Sequence, residues 1–77
     1  MRYSEIRTDY VSEENGHYYC YVDVWETADY DEEGHSVAMV NLDNGDITWT
    51  DMSAIRNPQV ILAIAEIIKT HRINIFK

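Results

Sequence analysis

His17-Tyr18-Tyr19-Cys20-Tyr21-Val22-Asp23-Val24-Trp25 decides the fold. Successive side chains of a strand point to opposite faces. The even positions, Tyr18, Cys20, Val22 and Val24, make an apolar row suited to a core. The odd positions, His17, Tyr19, Tyr21, Asp23 and Trp25, mix aromatic and polar groups. Tyr and Trp are enriched where one side is apolar and the other wet. The stretch therefore reads as a strand of an antiparallel sheet covered on one face only.

Turn signals bracket this strand. Glu13-Glu14-Asn15-Gly16 and Asp43-Asn44-Gly45-Asp46 both carry Asn-Gly, whose two residues accept positive φ and so favour tight hairpins. Residues 28–34 form a longer acidic connection. Three connections imply four strands, at 3–11, 17–27, 35–42 and 46–50. Ile and Val total fifteen against two Leu, which also favours strands. The first strand has a rival reading: Tyr3, Ile6, Arg7, Tyr10 and Val11 also fit the spacing of an amphipathic helix. Thr8, Tyr10 and Val11 prefer strands, and the following hairpin needs a partner, so strand is favoured.

Asn57-Pro58 opens a helix, with Asn as the cap and Pro at the first position, where its missing N–H costs nothing. The helix is expected over 58–71. It carries Val60, Ile61, Leu62, Ala63, Ile64, Ala65, Ile67 and Ile68, with only Gln59, Glu66 and Thr70 as a narrow polar strip. A surface helix ordinarily has a polar half, so this one needs more cover than one sheet face supplies. Residues 73–76 are an apolar tail, suited to an edge strand or to packing under the helix. The expected architecture is a single α+β domain spanning 1–77: a four-stranded antiparallel β-meander, order 1-2-3-4, with one C-terminal helix packed on one face.

Charge is uneven. Six Lys and Arg oppose fourteen Asp and Glu, a net of -8. Residues 1–51 hold thirteen acids and two bases (-11), and residues 52–77 one acid and four bases (+3). Nucleic-acid binders neutralise phosphates with Lys and Arg, so this excess argues against direct binding to DNA, RNA or anionic membranes. The single cysteine, Cys20, leaves no internal disulfide. The N-terminal residues lack the apolar stretch of a signal peptide. The longest apolar run, residues 60–65, falls short of the ~20 residues that span a bilayer. These features point to a cytoplasmic protein. A domain this small, without disulfide or metal, has little stability to spare, and with the helix's apolar girth that points to a homodimer.

Sites for chemistry are not evident. Residues 29–34 begin like a calcium loop, but the position requiring a bidentate Glu is Val40. Cys20 and His17 point to opposite faces of their strand, and the three histidines lack metal-ligand spacing. Carboxylate pairs sit in turns, where nothing desolvates one partner to raise its pKa. No enzyme activity, metal or cofactor is expected. The candidate site is a protein-binding surface: the aromatic face with Tyr19, Tyr21 and Trp25, beside the acidic residues Glu26, Asp29, Asp31, Glu32 and Glu33. An acidic field of this kind speeds association with a basic partner and weakens with salt.

In size, charge and layout the whole chain is similar to small acidic proteins of phages and other mobile elements. Some of those, including anti-restriction and anti-CRISPR proteins, imitate DNA charge. The resemblance implies an inhibitor of a nucleic-acid-binding host protein. The alternative is a small homodimeric structural or regulatory module that uses the aromatic sheet face.

Overall fold

The computed structural model describes residues 3–26 and 34–73. It is an α+β fold: one antiparallel sheet with a C-terminal helix. The strands are β1 (Glu5–Arg7), β2 (Val11–Glu14), β3 (His17–Trp25), β4 (His35–Asn41) and β5 (Ile47–Trp49). A short 3-10 turn, η1 (Met52–Ala54), leads to α1 (Pro58–Thr70). The order is β1-β3-β4-β5, with β2 also paired to β3. The described residues thus hold five strands, one more than the sequence implied. Within the expected first strand over 3–11 only β1 forms before a break. Strand β2 starts at its last residue, Val11, and runs on to Glu14, into the expected turn. Both lie along the same edge of β3, and the helical alternative for this stretch does not occur.

A single extra residue causes the division. Val11 lies opposite Cys20 and Arg7 opposite Asp23, and the Tyr21 N–H donates to the Tyr10 carbonyl at 3.0 Å. Thr8 and Asp9 therefore share Val22 as their one counterpart, which is a β-bulge. The other edge of β3 does the same. Val22 faces Ala38 and Asp23 faces Ser36, which leaves Val37 as the additional residue. Two bulges flank Val22, so the sheet coils across that row.

The two Asn-Gly turns differ. In the first, Asn15 and Gly16 both have positive φ, 54° and 81°, and β2 passes directly into β3 as a two-residue hairpin. In the second, of the two residues only Gly45 is left-handed, at 82°. Its N–H closes on the Asn41 carbonyl at 2.8 Å, and the Asn44 side chain accepts from the Asp46 N–H at 2.8 Å. The connection is a longer loop over 42–46.

The core forms between the even face of β3 and α1. Cys20, Val22, Val24, Val37, Ala38 and Val40 from the sheet are fully buried with Val60 of α1, and Ile64 and Ile67 nearly so. Ile6 and Trp49 pack against this cluster. The Asn57 side chain caps α1, accepting from the N–H groups of Gln59 (2.9 Å) and Val60 (3.4 Å). The helix ends at Thr70, one residue before the expected boundary, because His71 is its C-cap. Arg72 is left-handed, with φ 52°, and its N–H and that of Ile73 fold back onto the carbonyls of Lys69 and Ile68. This is the Schellman closure, with arginine where glycine is usual. The tail over 74–76 lies outside the described residues.

Gln59 ties the N-terminus to the helix. Its Oε1 accepts from the Tyr3 N–H at 2.7 Å and its Nε2 donates to the Tyr3 carbonyl at 3.0 Å. The amide acts as one more rung of the sheet, supplied by a side chain. Tyr3 is buried beside it.

Candidate protein-binding face

Helix α1 covers the even face of β3 and leaves the odd face open. The pairing register places Glu5 and Arg7 of β1, Ser12 and Glu14 of β2, Ser36, Met39 and Asn41 of β4, and Thr48 of β5 on that open side. Tyr19, Tyr21 and Trp25 lie there together, each half-buried, as the alternation of β3 implied.

The coil at Val22 divides this face into two parts. In the first, Tyr10 and Tyr21 meet with ring centroids 5.1 Å apart and planes tilted by 52°. Ser12 Oγ donates to the Tyr21 hydroxyl at 3.3 Å, which fixes the ring. Tyr10 is 57% exposed, so this aromatic pair presents an edge to solvent. In the second part, the Arg7 guanidinium lies 4.9 Å from the centre of the Trp25 ring and pairs with the Glu5 carboxylate. The Ser36 hydroxyl donates to Asp23 Oδ1. Gly34 packs tightly on the Trp25 ring: a Cβ there would fall 2.3 Å from Trp25 Cε2. These contacts hold the rings in fixed positions.

Tyr10 was hidden in the sequence. With Ile6 facing the core, an unbroken strand would put Tyr10 inward as well. The bulge at Thr8–Asp9 reverses the alternation and turns Tyr10 outward beside Tyr21. Met39 joins the face through the β3–β4 register, which sequence alternation alone does not give.

Of the acidic candidates, Glu26 is half-buried just beyond β3, and its carbonyl accepts from Ser4 Oγ at 2.9 Å. Asp29, Asp31, Glu32 and Glu33 lie outside the described residues. The acids that the structure does place on the open face are Glu5, Glu14 and Asp23.

Titratable groups elsewhere show structural roles. Burial pushes the Cys20 thiol up, with Asp23 and Asp9 adding to the effect, and its Sγ donates to the Thr8 carbonyl at 3.1 Å inside the bulge. Burial likewise raises the Tyr3 phenol, helped by Asp51 and Glu26. Asp51 is lowered because Ser53 donates to it from its hydroxyl (2.6 Å) and its backbone N–H (3.0 Å), with His35 assisting. His17 Nδ1 lies 2.8 Å from Asp43 Oδ2 and links the two hairpin ends. Among the described residues no cavity opens, and no three side chains of metal-ligating type come together. No described helix is long and apolar enough to cross a membrane. The chain matches no family model, no curated protein and no solved structure.

Proposed function

We propose that this chain is a non-enzymatic interaction protein whose open sheet face binds a basic protein surface in the cytoplasm. The observation that supports this reading most is the uncovered aromatic face, with Tyr10, Tyr21 and Trp25 held in place among Glu5, Glu14 and Asp23. Desolvated Tyr and Trp dominate binding hot spots, and carboxylates around them steer a cationic partner and fix its register. Arg7 already shows, within the chain, how a guanidinium is received there: over the Trp25 ring and against a carboxylate. A partner's Arg or Lys side chains fit the same chemistry.

The specific form of this proposal is a DNA mimic that inhibits a nucleic-acid-binding host protein. In that form Asp29, Asp31, Glu32 and Glu33 add their negative charge to that of the sheet-face carboxylates.

The test is capture of partners from native lysate at low and high salt. Wild type is compared with a Tyr21→Ala/Trp25→Ala variant and with an Asp29→Asn/Asp31→Asn/Glu32→Gln/Glu33→Gln variant. Loss of both aromatic anchors should weaken binding by up to ~1,000-fold, in line with hot-spot residues worth about 2 kcal/mol, or ~30-fold, each. Neutralising these four acids should flatten the salt dependence. A captured partner without a basic surface, or affinity unchanged in both variants, refutes the proposal.

A further inference from the structure

We propose that the outer face of α1 takes a second copy of this chain, as a two-fold symmetric, antiparallel helix pair. The proposal does not rest on the reading of the sheet face and concerns the opposite side of the molecule.

Helical positions advance by about 100° per residue. The buried stripe of Val60, Ile64 and Ile67 is centred on one side of α1; Pro58, Leu62, Ala65 and Lys69 fall on the other, with Ile61 on its flank. Ile61 is 50% exposed and Leu62 67% exposed. Met52 and Ile55, just before the helix, are 63% and 40% exposed. Four large apolar side chains thus stand in water on one short segment, where a surface helix normally places charges. Contiguous apolar exposure of this kind marks an interface.

For a chain of this net charge, a second copy meets least repulsion here and most at the sheet face. The whole chain carries -8, but residues 52–73 hold Arg56, Lys69 and Arg72 against Glu66 alone, a local +2. Contact through α1 joins two copies by their least negative sides and keeps the acidic sheets apart. A basic partner is drawn to the opposite face. The helix is also complementary to itself. With the two-fold axis between Ile61 and Leu62, Ile61 of one copy meets Leu62 of the other, and Ala65 meets Pro58. At ~1.5 Å per residue within the helix, Glu66 lies ~7 Å beyond the axis, and the other copy's Arg56, just before the start of its helix, falls on the same side of the axis. Opposite charges then meet twice, once on each side of the axis. Antiparallel packing also sets the helix dipoles head to tail.

Multi-angle light scattering and sedimentation across micromolar concentrations read the assembly. The expected mass is about 18 kDa, twice the 9.0 kDa of the chain. Leu62→Glu, at a position exposed in the single chain, should give the monomer mass with unchanged circular dichroism. Glu66→Arg and Arg56→Glu should each weaken the dimer about tenfold, and the two together should restore it, which fixes the register. Tyr21→Ala should leave the mass at the dimer value. A monomer at every concentration refutes the proposal, as does a dimer that survives Leu62→Glu or is lost instead with Tyr21→Ala. Failure of the charge reversals to rescue one another refutes the antiparallel register.

Discussion

Gln59 offers the sharpest test of how this fold is held. Its amide makes two hydrogen bonds to Tyr3, at 2.7 and 3.0 Å, and Tyr3 is only 4% exposed. Gln59→Leu keeps the side-chain bulk but removes both partners, leaving a buried N–H and a buried C=O unsatisfied. Each such orphan costs about 1–3 kcal/mol, so the substitution should cost about 2–6 kcal/mol. A chain of this length has a total stability of roughly 4–12 kcal/mol. At about 4–8 °C per kcal/mol for a small domain, the melting temperature should fall by about 10 °C at the least. Gln59→Glu separates two explanations. At the second helical position an acid gains from the helix dipole, by about 0.3–1 kcal/mol. The same acid turns an oxygen toward the Tyr3 carbonyl where the amide donated. The lost donor outweighs the dipole, so this variant should be destabilised at neutral pH. It should recover as acid protonates the introduced carboxyl and restores a donor. The sign follows from linkage: the folded state favours the protonated form, so that carboxyl's folded pKa is raised and the regained stability is lost as pH rises through it. Thermal melts from neutral to acid pH decide the matter. A melting temperature unchanged in Gln59→Leu, or raised at neutral pH in Gln59→Glu, refutes the rung.

Two further outcomes follow from described contacts. Gly34→Ala puts a methyl 2.3 Å from Trp25 Cε2; overpacking of this order costs about 1–3 kcal/mol and must displace the ring, so near-ultraviolet circular dichroism should change, and an unaltered spectrum contradicts the contact. Asp51 has a pKa below its ordinary value, so its contribution is present above the ordinary carboxylate range and is lost as pH falls through the folded value. Asp51→Asn should therefore melt below wild type at neutral pH and converge with it in strong acid, whereas a gap that is independent of pH removes the role assigned to the charge.

The sequence carried those parts of the fold that depend on neighbours along the chain. Alternation in 17–25 marks β3 and its two faces, and with them the positions of Tyr19, Tyr21 and Trp25. Asn57-Pro58 marks the start of α1 because cap and ring act within one turn. Asn15-Gly16 marks a tight hairpin for the same reason. The features that stayed hidden are set by distant partners. The Gln59–Tyr3 rung joins residues 56 positions apart, and Gln59 by itself reads as part of a polar strip. The bulge at Thr8–Asp9 depends on matching Ile6 to Val24 and Tyr10 to Tyr21 at once, which no local pattern announces. The outward turn of Tyr10 therefore has no local signal, although it completes the aromatic pair with Tyr21. Asn44-Gly45 resembled its counterpart in composition but takes a wider loop, because Asn44 spends its side chain on the Asp46 N–H.

The bulge also bears on how the chain tolerates changes of length. Between Arg7 and Val11 the chain has three residues, where the facing stretch between Asp23 and Cys20 has two. Deleting Thr8 or Asp9 would make the edge regular while leaving Glu5, Ile6 and Arg7 opposite their present partners. Deleting a residue within β2 instead would exchange Tyr10 and Val11 between core side and open side, since a slip of one residue reverses every side chain beyond it. The first edge of the sheet therefore has one residue of slack, confined to Thr8–Asp9. A shortened descendant of this chain would keep its core by losing a residue there, and would lose its aromatic pair by losing one a few positions later.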